Sequence, residues 1–395
     1  MRGVRTLVAL TCVSLAAPAL AQSDFRSCLS GLRGEAAAKG VSAGTFDTVA
    51  RGLEPDMKVL ELMDNQPEFK TPIWDYLAML VDEERVADGR AAMNRWSSAL
   101  ASAEARYGVD RYAIAGVWGV ESNFGKDLGG RPLVQSLATL SCYANRRRDY
   151  FKGELFATLK IIESGDIDQS RLTGSWAGAF GQTQFMPTTY QRLAVDHDGD
   201  GRRDIVDSAP DALGSTANFL AKAGWVKGLP WGYEVRVPSG FNAAHAGRKA
   251  KRPVASWASM GVTRIDGRPL SGDHPAAIIM PAGRDGPAFL VTKNFDAIFS
   301  YNGAESYALA IATLGDRLRG QPGIRTPWPT DDAGLSRAER RELQQRLARR
   351  GYDVGEPDGK IGQKTRDAIK EVERAIGVPA TGRPGGRVLD ALRRG

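Results

Sequence analysis

The sequence predicts a mainly helical α+β protein in two folded parts: a helical domain with a small β-containing insertion, and a compact three-helix tail. Three observations predict it. From Asp24 to about Tyr107 apolar residues recur at helical spacing, as Trp96, Leu100, Ala103 and Tyr107 do at i, i+4, i+7 and i+11. Residues 226–300 instead carry short strand-like runs between Gly/Pro-rich turns. Gln321–Gly334 (QPGIRTPWPTDDAG) has three Pro and two Gly and reads as a linker.

In chain order, helices are expected at Glu154–Glu163 and Ala209–Ala223. The second has Pro210 near its start and Gly224 after its end, the asymmetry that helix capping favours. The strand-like runs are Tyr233–Val237, Ala276–Met280 and Ala288–Thr292, and Tyr301–Arg317 returns to helical periodicity. Beyond the linker, Leu343 and Leu347 define a first tail helix. Ile369, Val372 and Ile376 define a second, and Val388, Leu389 and Leu392 a third. A tail of about 60 residues has little core of its own, so a binding module is a better reading than a second enzyme.

The composition bounds the function. With 395 residues, 42% hydrophobic and 25% charged, the chain is an ordinary globular one, and long disorder, collagen-like repeats and multi-span membrane architecture are excluded. Three His and three Cys argue against a zinc site. Residues 1–21 (MRGVRTLVALTCVSLAAPALA) have a basic start at Arg2 and Arg5 and an apolar run too short to span a bilayer. They end in a small-residue Ala-Leu-Ala site, the pattern of a cleaved export signal. The reading is a soluble periplasmic protein with no membrane span in the mature chain. Cleavage removes two Arg and no acid, so the formal charge falls from +7 to 7 − 2 = +5. For an exported protein that balance suits an anionic envelope polymer, not nucleic acid. Cys28 and Cys142 then remain as an even pair, either a disulfide or two buried thiols. A bridge closing so long a loop contributes roughly 4–5 kcal/mol in the chain-entropy description.

The chemistry-bearing segment is Ile114-Ala-Gly-Val-Trp-Gly-Val-Glu-Ser-Asn-Phe-Gly125. Ile114, Val117, Trp118 and Glu121 stand at i, i+3, i+4 and i+7, so a carboxyl shares the stripe that faces inward. Burial raises the pKa of such a group, and a carboxyl still protonated near neutrality can act as a general acid. Further on, residues 174–190 (GSWAGAFGQTQFMPTTY) pack three Gly, two Gln and four aromatics together. Glycines allow close backbone approach, amides hydrogen-bond sugar hydroxyls and acetamides, and aromatic faces stack on pyranose rings.

GVESNFG, LATLSCYANRRRDYF, GSWAGAFGQTQFMPTTY and the Asp-rich run that follows resemble, in order and spacing, the membrane-bound lytic murein transglycosylase B family, over roughly residues 25–318. The tail resembles a type 1 peptidoglycan-binding domain through Leu343-Gln-Gln-Arg-Leu, Arg350-Gly-Tyr, Gly355-Glu-Pro-Asp-Gly and Gly362-Gln-Lys-Thr, although Val372-Glu373 stand where Phe-Gln is usual. The resemblance implies a lysozyme-like helical catalytic domain at 22–320, a linker at 321–334 and a peptidoglycan-binding domain at 335–395. It implies cleavage of the β-1,4 bond between N-acetylmuramic acid and N-acetylglucosamine without water, leaving a 1,6-anhydro end. Glu121 would be the single acid and base, with no cofactor needed for catalysis. Ser175 and Gln184 would bind the muramic residue, with Gln182 beside them where relatives carry an aromatic. Arg146 and Arg147 would meet the peptide stem or lactyl carboxylate. Tyr301, Tyr307 and Tyr76 would line the cleft, and Phe219 stands where related sequences carry Tyr. A hydrolytic muramidase and a non-catalytic wall-binding scaffold are the rival readings. Partners would be glycan strands, peptide stems and other cell-wall enzymes, with a monomeric chain.

Asp196-His-Asp-Gly-Asp-Gly-Arg-Arg-Asp-Ile-Val-Asp207 places Asp at positions 1, 3, 5, 9 and 12 and Gly201 at position 6, as in an EF-hand-like calcium loop. The expected ligands of a structural calcium ion are Asp196, Asp198, Asp200, Arg202 at position 7, and Asp207. In the resembling family the closing carboxylate comes slightly later, at Asp211.

Overall fold

The computed structural model describes residues 16–64 and 71–394, so most of the export-signal segment lies outside the described residues. No helix among them is long and apolar enough to cross a membrane. The chain divides into two compact units. Of the described residues, the first comprises 16–64, 129–180 and 185–192, and the second 71–128, 181–184 and 193–394.

The first unit is built on the helices Ala16–Ala38, Leu133–Tyr143 and Arg148–Ser164. Phe25, Leu133, Leu137 and Leu155 are buried within it. A two-residue antiparallel ladder joins Arg131–Pro132 to Thr173–Gly174 in the register Arg131↔Gly174. Cys28 and Cys142 form a disulfide across 114 residues of sequence, resolving the pair in favour of the bridge.

The second unit holds the helices Ile73–Leu80, Glu83–Arg95, Ser97–Tyr107, Arg111–Ser122, Ala209–Lys222, Lys293–Phe299 and Glu305–Leu318. Arg111–Ser122 is called the glutamate helix and Glu305–Leu318 the tyrosine helix below. The glutamate helix starts at Asp110, whose carboxylate accepts from the Tyr112 N–H at 2.8 Å. Its two neighbours are capped by Asp82 and Gly108. Ala209–Lys222 begins with Pro210 and is followed by Gly224 at φ +90°, as its sequence predicts. The 226–300 segment forms a five-stranded antiparallel sheet. Its strand order is Arg252–Pro253, Pro275–Ile279, Ala288–Val291, Gly232–Arg236 and Thr263–Arg264. The tyrosine helix starts at Glu305, later than its periodicity suggested, because Tyr301 and Asn302 sit in a preceding turn.

The tail helices are Arg337–Arg349, Gln363–Ala375 and Gly386–Arg394. Leu343, Leu347, Ile369, Val372, Val388, Leu389 and Leu392 form their shared core. Ile376 does not join it: it is the residue after the second helix and is 39% exposed. Where Phe-Gln is usual, Val372 fills the core. The buried Glu373 accepts from Thr381 Oγ1 (2.6 Å) and the Gly382 N–H (2.7 Å), so its charge holds a turn. Arg383 of the tail makes a two-pronged bond to both oxygens of Asp75, each at 2.6 Å.

Glycines set the contact of the glutamate and tyrosine helices. A Cβ on Gly116 would lie 2.6 Å from the Ile311 carbonyl oxygen, and one on Gly315 2.9 Å from that of Tyr112. Backbone therefore meets backbone at two places along one crossing. Gly116→Ala is expected to destabilise the protein by about 1–3 kcal/mol through overpacking, in spite of alanine's better helix propensity. Gly153→Ala, in a helix position where a Cβ meets nothing within 4 Å, is expected to stabilise by up to about 1 kcal/mol. Denaturant midpoints of the two variants should move in opposite directions.

Candidate active site

Glu121 lies one residue from the end of the glutamate helix, on the stripe that buries Ile114, Val117 and Trp118. The close helix crossing brings Tyr307 of the tyrosine helix onto it, and the Tyr307 hydroxyl donates to Glu121 Oε1. Burial pushes the Glu121 carboxyl up to about 8, and the Tyr307 bond, which favours the charged form, offsets only part of that. No acidic neighbour among the described residues adds to the shift. The Tyr307 and Tyr301 phenols are themselves held well above their ordinary range, first by burial and then by the Glu121 charge. Tyr301 stacks on Tyr307 at 6.3 Å between ring centres and donates to the Thr183 carbonyl at 2.7 Å. Phe219 packs on the Tyr301 ring at 4.4 Å, so an apolar face stands where a hydroxyl was considered. The Tyr76 phenol acts on Tyr307 electrostatically.

The backbone after Glu121 is unusual. Asn123, Phe124 and Gly125 all take positive φ (49°, 60° and 81°), and only the last is glycine. Phe124 is held by a T-shaped contact on Trp118, at 5.5 Å, and by its N–H on the Trp118 carbonyl. Gly125 is needed twice over, because a Cβ there would also lie 2.7 Å from Gln182 Oε1. Gln182 braces this turn. Its Oε1 accepts from Trp118 Nε1 (3.0 Å), its Nε2 donates to the Val206 carbonyl (3.0 Å), and its own carbonyl accepts from Ser122 Oγ (2.7 Å).

The sequence matches two families: the transglycosylase SLT domain over residues 24–316, and a putative peptidoglycan binding domain over residues 336–392. The chain belongs to the transglycosylase SLT domain family. The membrane-bound lytic murein transglycosylase B of Escherichia coli (strain K12) is 34% identical over 272 residues, which are 65% of this chain and 73% of that protein. The crystal structure of SltB3 from Pseudomonas aeruginosa, solved in complex with NAG-anhNAM-pentapeptide, superposes with a TM-score of 0.76 at 45% identity. It covers 93% of this chain and 99% of its own. The Escherichia coli lytic transglycosylase Slt35, solved in complex with calcium, gives a TM-score of 0.64 at 30% identity, over 75% of this chain and 93% of its own.

Among the sugar-contact positions that the family resemblance implies, Gln184, Tyr301, Tyr307 and Tyr76 lie in the same compact unit as Glu121. Gln184, at φ +49°, spends its Nε2 on the Leu128 and Gly181 carbonyls (3.2 and 2.9 Å), while its Oε1 accepts from none of the described residues. Gln182 does not behave as a sugar contact: it is 7% exposed and both ends of its amide are occupied. Ser175, Arg146 and Arg147 belong to the other unit. There the Ser175 Oγ accepts from the Ala179 N–H (3.0 Å), Arg146 donates to the Met63 carbonyl (2.6 Å), and Arg147 stacks on the Tyr150 ring at 4.2 Å. Sequence reasoning missed Glu154, also in that unit. It is buried and accepts from the Thr188 N–H and Oγ1 (2.9 and 2.8 Å), fixing the Met-Pro-Thr-Thr turn. Its place among apolar helix neighbours was the available signal.

In the acidic loop, Asp196, Asp198, Asp200 and Asp211 bring one carboxylate oxygen each to within 4.8 Å of one another. Asp207 is exposed and outside this group, so the fourth carboxylate is Asp211, the first helical turn after the loop supplying what the twelfth position does not. Asp211 is fully buried, and its oxygens take the His197 (2.7 Å) and Asp204 (2.8 Å) N–H groups. Burial nevertheless raises it to about 6, with Asp198 adding to the rise. The Arg202 N–H donates to Asp200 Oδ1 (2.8 Å), and its guanidinium lies 3.8 Å from Asp204 Oδ2.

Because Glu121 keeps its proton up to about pH 8, lytic activity is expected to fall as pH rises through that value. Tyr307→Phe removes a bond that favours the carboxylate, so the alkaline limb should move to higher pH. A pH profile of kcat/KM for both proteins checks the sign.

Proposed function

We propose that Glu121 is the sole proton-transfer group of a peptidoglycan lytic transglycosylase. Family membership makes the chain a lytic transglycosylase directed at peptidoglycan, through its catalytic and binding domains. One observation carries the residue assignment: a carboxyl that burial keeps protonated to about pH 8, touched by a tyrosine hydroxyl, with no second carboxylate acting on it. Most glycosidases place two carboxyls within about 5–10 Å, where each charge would perturb the other.

In the proposed reaction the Glu121 proton goes to the glycosidic oxygen as the bond to the muramic anomeric carbon breaks. The carboxylate left behind takes the proton of the muramic 6-hydroxyl, whose oxygen bonds to that same carbon. The 1,6-anhydro ring forms, the leaving sugar departs as an alcohol, and Glu121 is again protonated. One pKa near 8 suits both steps: the group carries its proton at neutral pH, and its conjugate base is stronger than an exposed carboxylate. Tyr307 fixes which Glu121 oxygen is engaged. The Gln184 Oε1, without a donor among the described residues, suits an acetamide N–H, and the family resemblance assigns Ser175 to sugar binding. Arg146 and Arg147 are assigned to stem or lactyl carboxylates. The export signal and the disulfide support a periplasmic location.

We further assign Asp196, Asp198, Asp200 and Asp211, with the Arg202 carbonyl, as the cradle of a structural calcium ion. The fit rests on the donor set. Four carboxylates meet at 4.8 Å or less, and an all-oxygen group of this kind suits a hard divalent cation that would offset their mutual repulsion.

Glu121→Gln is expected to slow release of anhydro-muropeptides from purified sacculi by about 10²–10⁴-fold. Mass spectrometry of the wild-type digest should show products one water lighter than reducing-end fragments, and reducing ends instead would make the enzyme a hydrolase. For the metal, calcium at a hundred times its dissociation constant should stabilise the fold by about 2.7 kcal/mol. Thermal melts should show that gain, and Asp196→Ala should abolish it.

A further inference from the structure

Two adjoining cavities of about 370 and 390 Å³ lie where the strand Gly232–Arg236 faces the C-terminal half of the tyrosine helix, and they share Trp231, Tyr233, Arg264, Asp316 and Gln321. Each is in the size range of a small-ligand site. Asp316 stands nine residues after Tyr307 on one helix, about 13 Å along the axis and half a turn out of phase. The groove thus opens on the side of the tyrosine helix opposite Glu121.

Three polar groups meet there with bonding capacity unused within the chain. Trp231 Nε1 donates to Asp316 Oδ2 at 3.0 Å, and the other Asp316 oxygen accepts from none of the described residues. Burial pushes the Asp316 carboxyl up to about 6, with Asp110 adding to the rise, so near neutrality it is chiefly an acceptor with a readily gained proton. The Tyr233 hydroxyl is enclosed and has no hydrogen-bond partner in the chain. Arg264 lies over the Tyr233 ring at 4.1 Å and, among the described residues, makes no ion pair, acting on the Asp266 carboxylate only at longer range. Arg319 makes the contrast: it is already paired with Asp110 while stacked on Tyr112. Enclosed polar groups are normally satisfied, so this set calls for a ligand rich in hydroxyls.

We propose that this groove is a second saccharide-binding site, taking one acidic amino-sugar unit of a glycan strand. A pyranose edge lies along the Trp231 indole, its hydroxyls bond Asp316, and a carboxylate substituent faces Arg264. Aromatic surface joined to planar polar groups is what a sugar's apolar face and hydroxyl rim require. The Arg264 guanidinium, whose hydrogen-bond donors are not taken up by an ion pair among the described residues, selects the acidic sugar over a neutral one. The choice of glycan rests on the peptidoglycan reading above, and the groove would hold a strand while Glu121 cuts elsewhere on it.

Indole N–H signals in a ¹H–¹⁵N spectrum separate the two sites. Trp118, bonded to Gln182 beside Glu121, reports the catalytic cleft, and Trp231 reports the groove. The full chain carrying Glu121→Gln is titrated with GlcNAc–MurNAc-pentapeptide and, separately, with the neutral chitotetraose. The Trp231 signal is expected to move saturably with the muropeptide, about fivefold more tightly than with chitotetraose. Arg264→Ala should erase that preference, and Asp316→Ala should weaken both ligands. Arg264→Ala leaves the packing of Trp231 on Phe289 and Phe295 intact, and a thermal melt checks its fold. A Trp231 signal that stays still while Trp118 saturates overturns the second site and leaves the catalytic reading standing. Movement of Trp231 alone keeps the groove and removes the cleft reading. Equal affinity for the two ligands overturns the role given to Arg264.

Discussion

The candidate active site depends on how closely two helix backbones approach. Gly116 and Gly315 remove the side chains that would hold the glutamate and tyrosine helices apart, and the Ile311 and Tyr112 carbonyls occupy the space gained. That approach carries the Tyr307 hydroxyl to Glu121 and encloses the carboxyl enough to raise its pKa. Interiors packed to crystal-like density do not absorb an added methyl group gently. Geometry and acidity are therefore set by the same contact, and neither can be changed alone.

A second layer of bonds holds the turn that follows. Two non-glycine residues in succession with left-handed backbone cost of order 1–3 kcal/mol each, and such strain persists only where the surroundings dictate it. Here they do. Phe124 is pinned by Trp118, and Trp118, Ser122 and Gln182 form a closed chain of hydrogen bonds around it. The amide of Gln182 thus serves the position of Glu121, whereas the Gln184 oxygen has no donor among the described residues.

Much of this was legible in the sequence, for identifiable reasons. Glu121 announced itself by lying in register with Ile114, Val117 and Trp118, because helical period alone decides which residues share a face. Pro210 and Gly224 bracketed their helix correctly, since both act through local backbone preference. The strand-like runs of the insertion fell within a residue of the observed strands, but their order in the sheet is a tertiary property that alternation does not encode. Residue type misled at Gln182, because an amide looks the same whether it faces a sugar or an indole N–H. Loop counting favoured Asp207 as the closing acid. The next helix instead carries Asp211 into the cluster, a placement that depends on where the helix packs. Ile376 fits the stripe of its helix yet falls just past the helix end, where periodicity no longer decides which way a side chain turns.

The clasp between Arg383 and Asp75 changes what the tail can do mechanically. A module hung on fourteen Pro- and Gly-containing residues would ordinarily sweep a cloud of positions, and its benefit would follow from tether statistics. A guanidinium bound on two prongs to the helix that also carries Tyr76 turns the tail from a float into a strut. The peptidoglycan-binding fold of the tail is thereby held at a set distance from the helix Ile73–Leu80, instead of at the variable one a free tether would give.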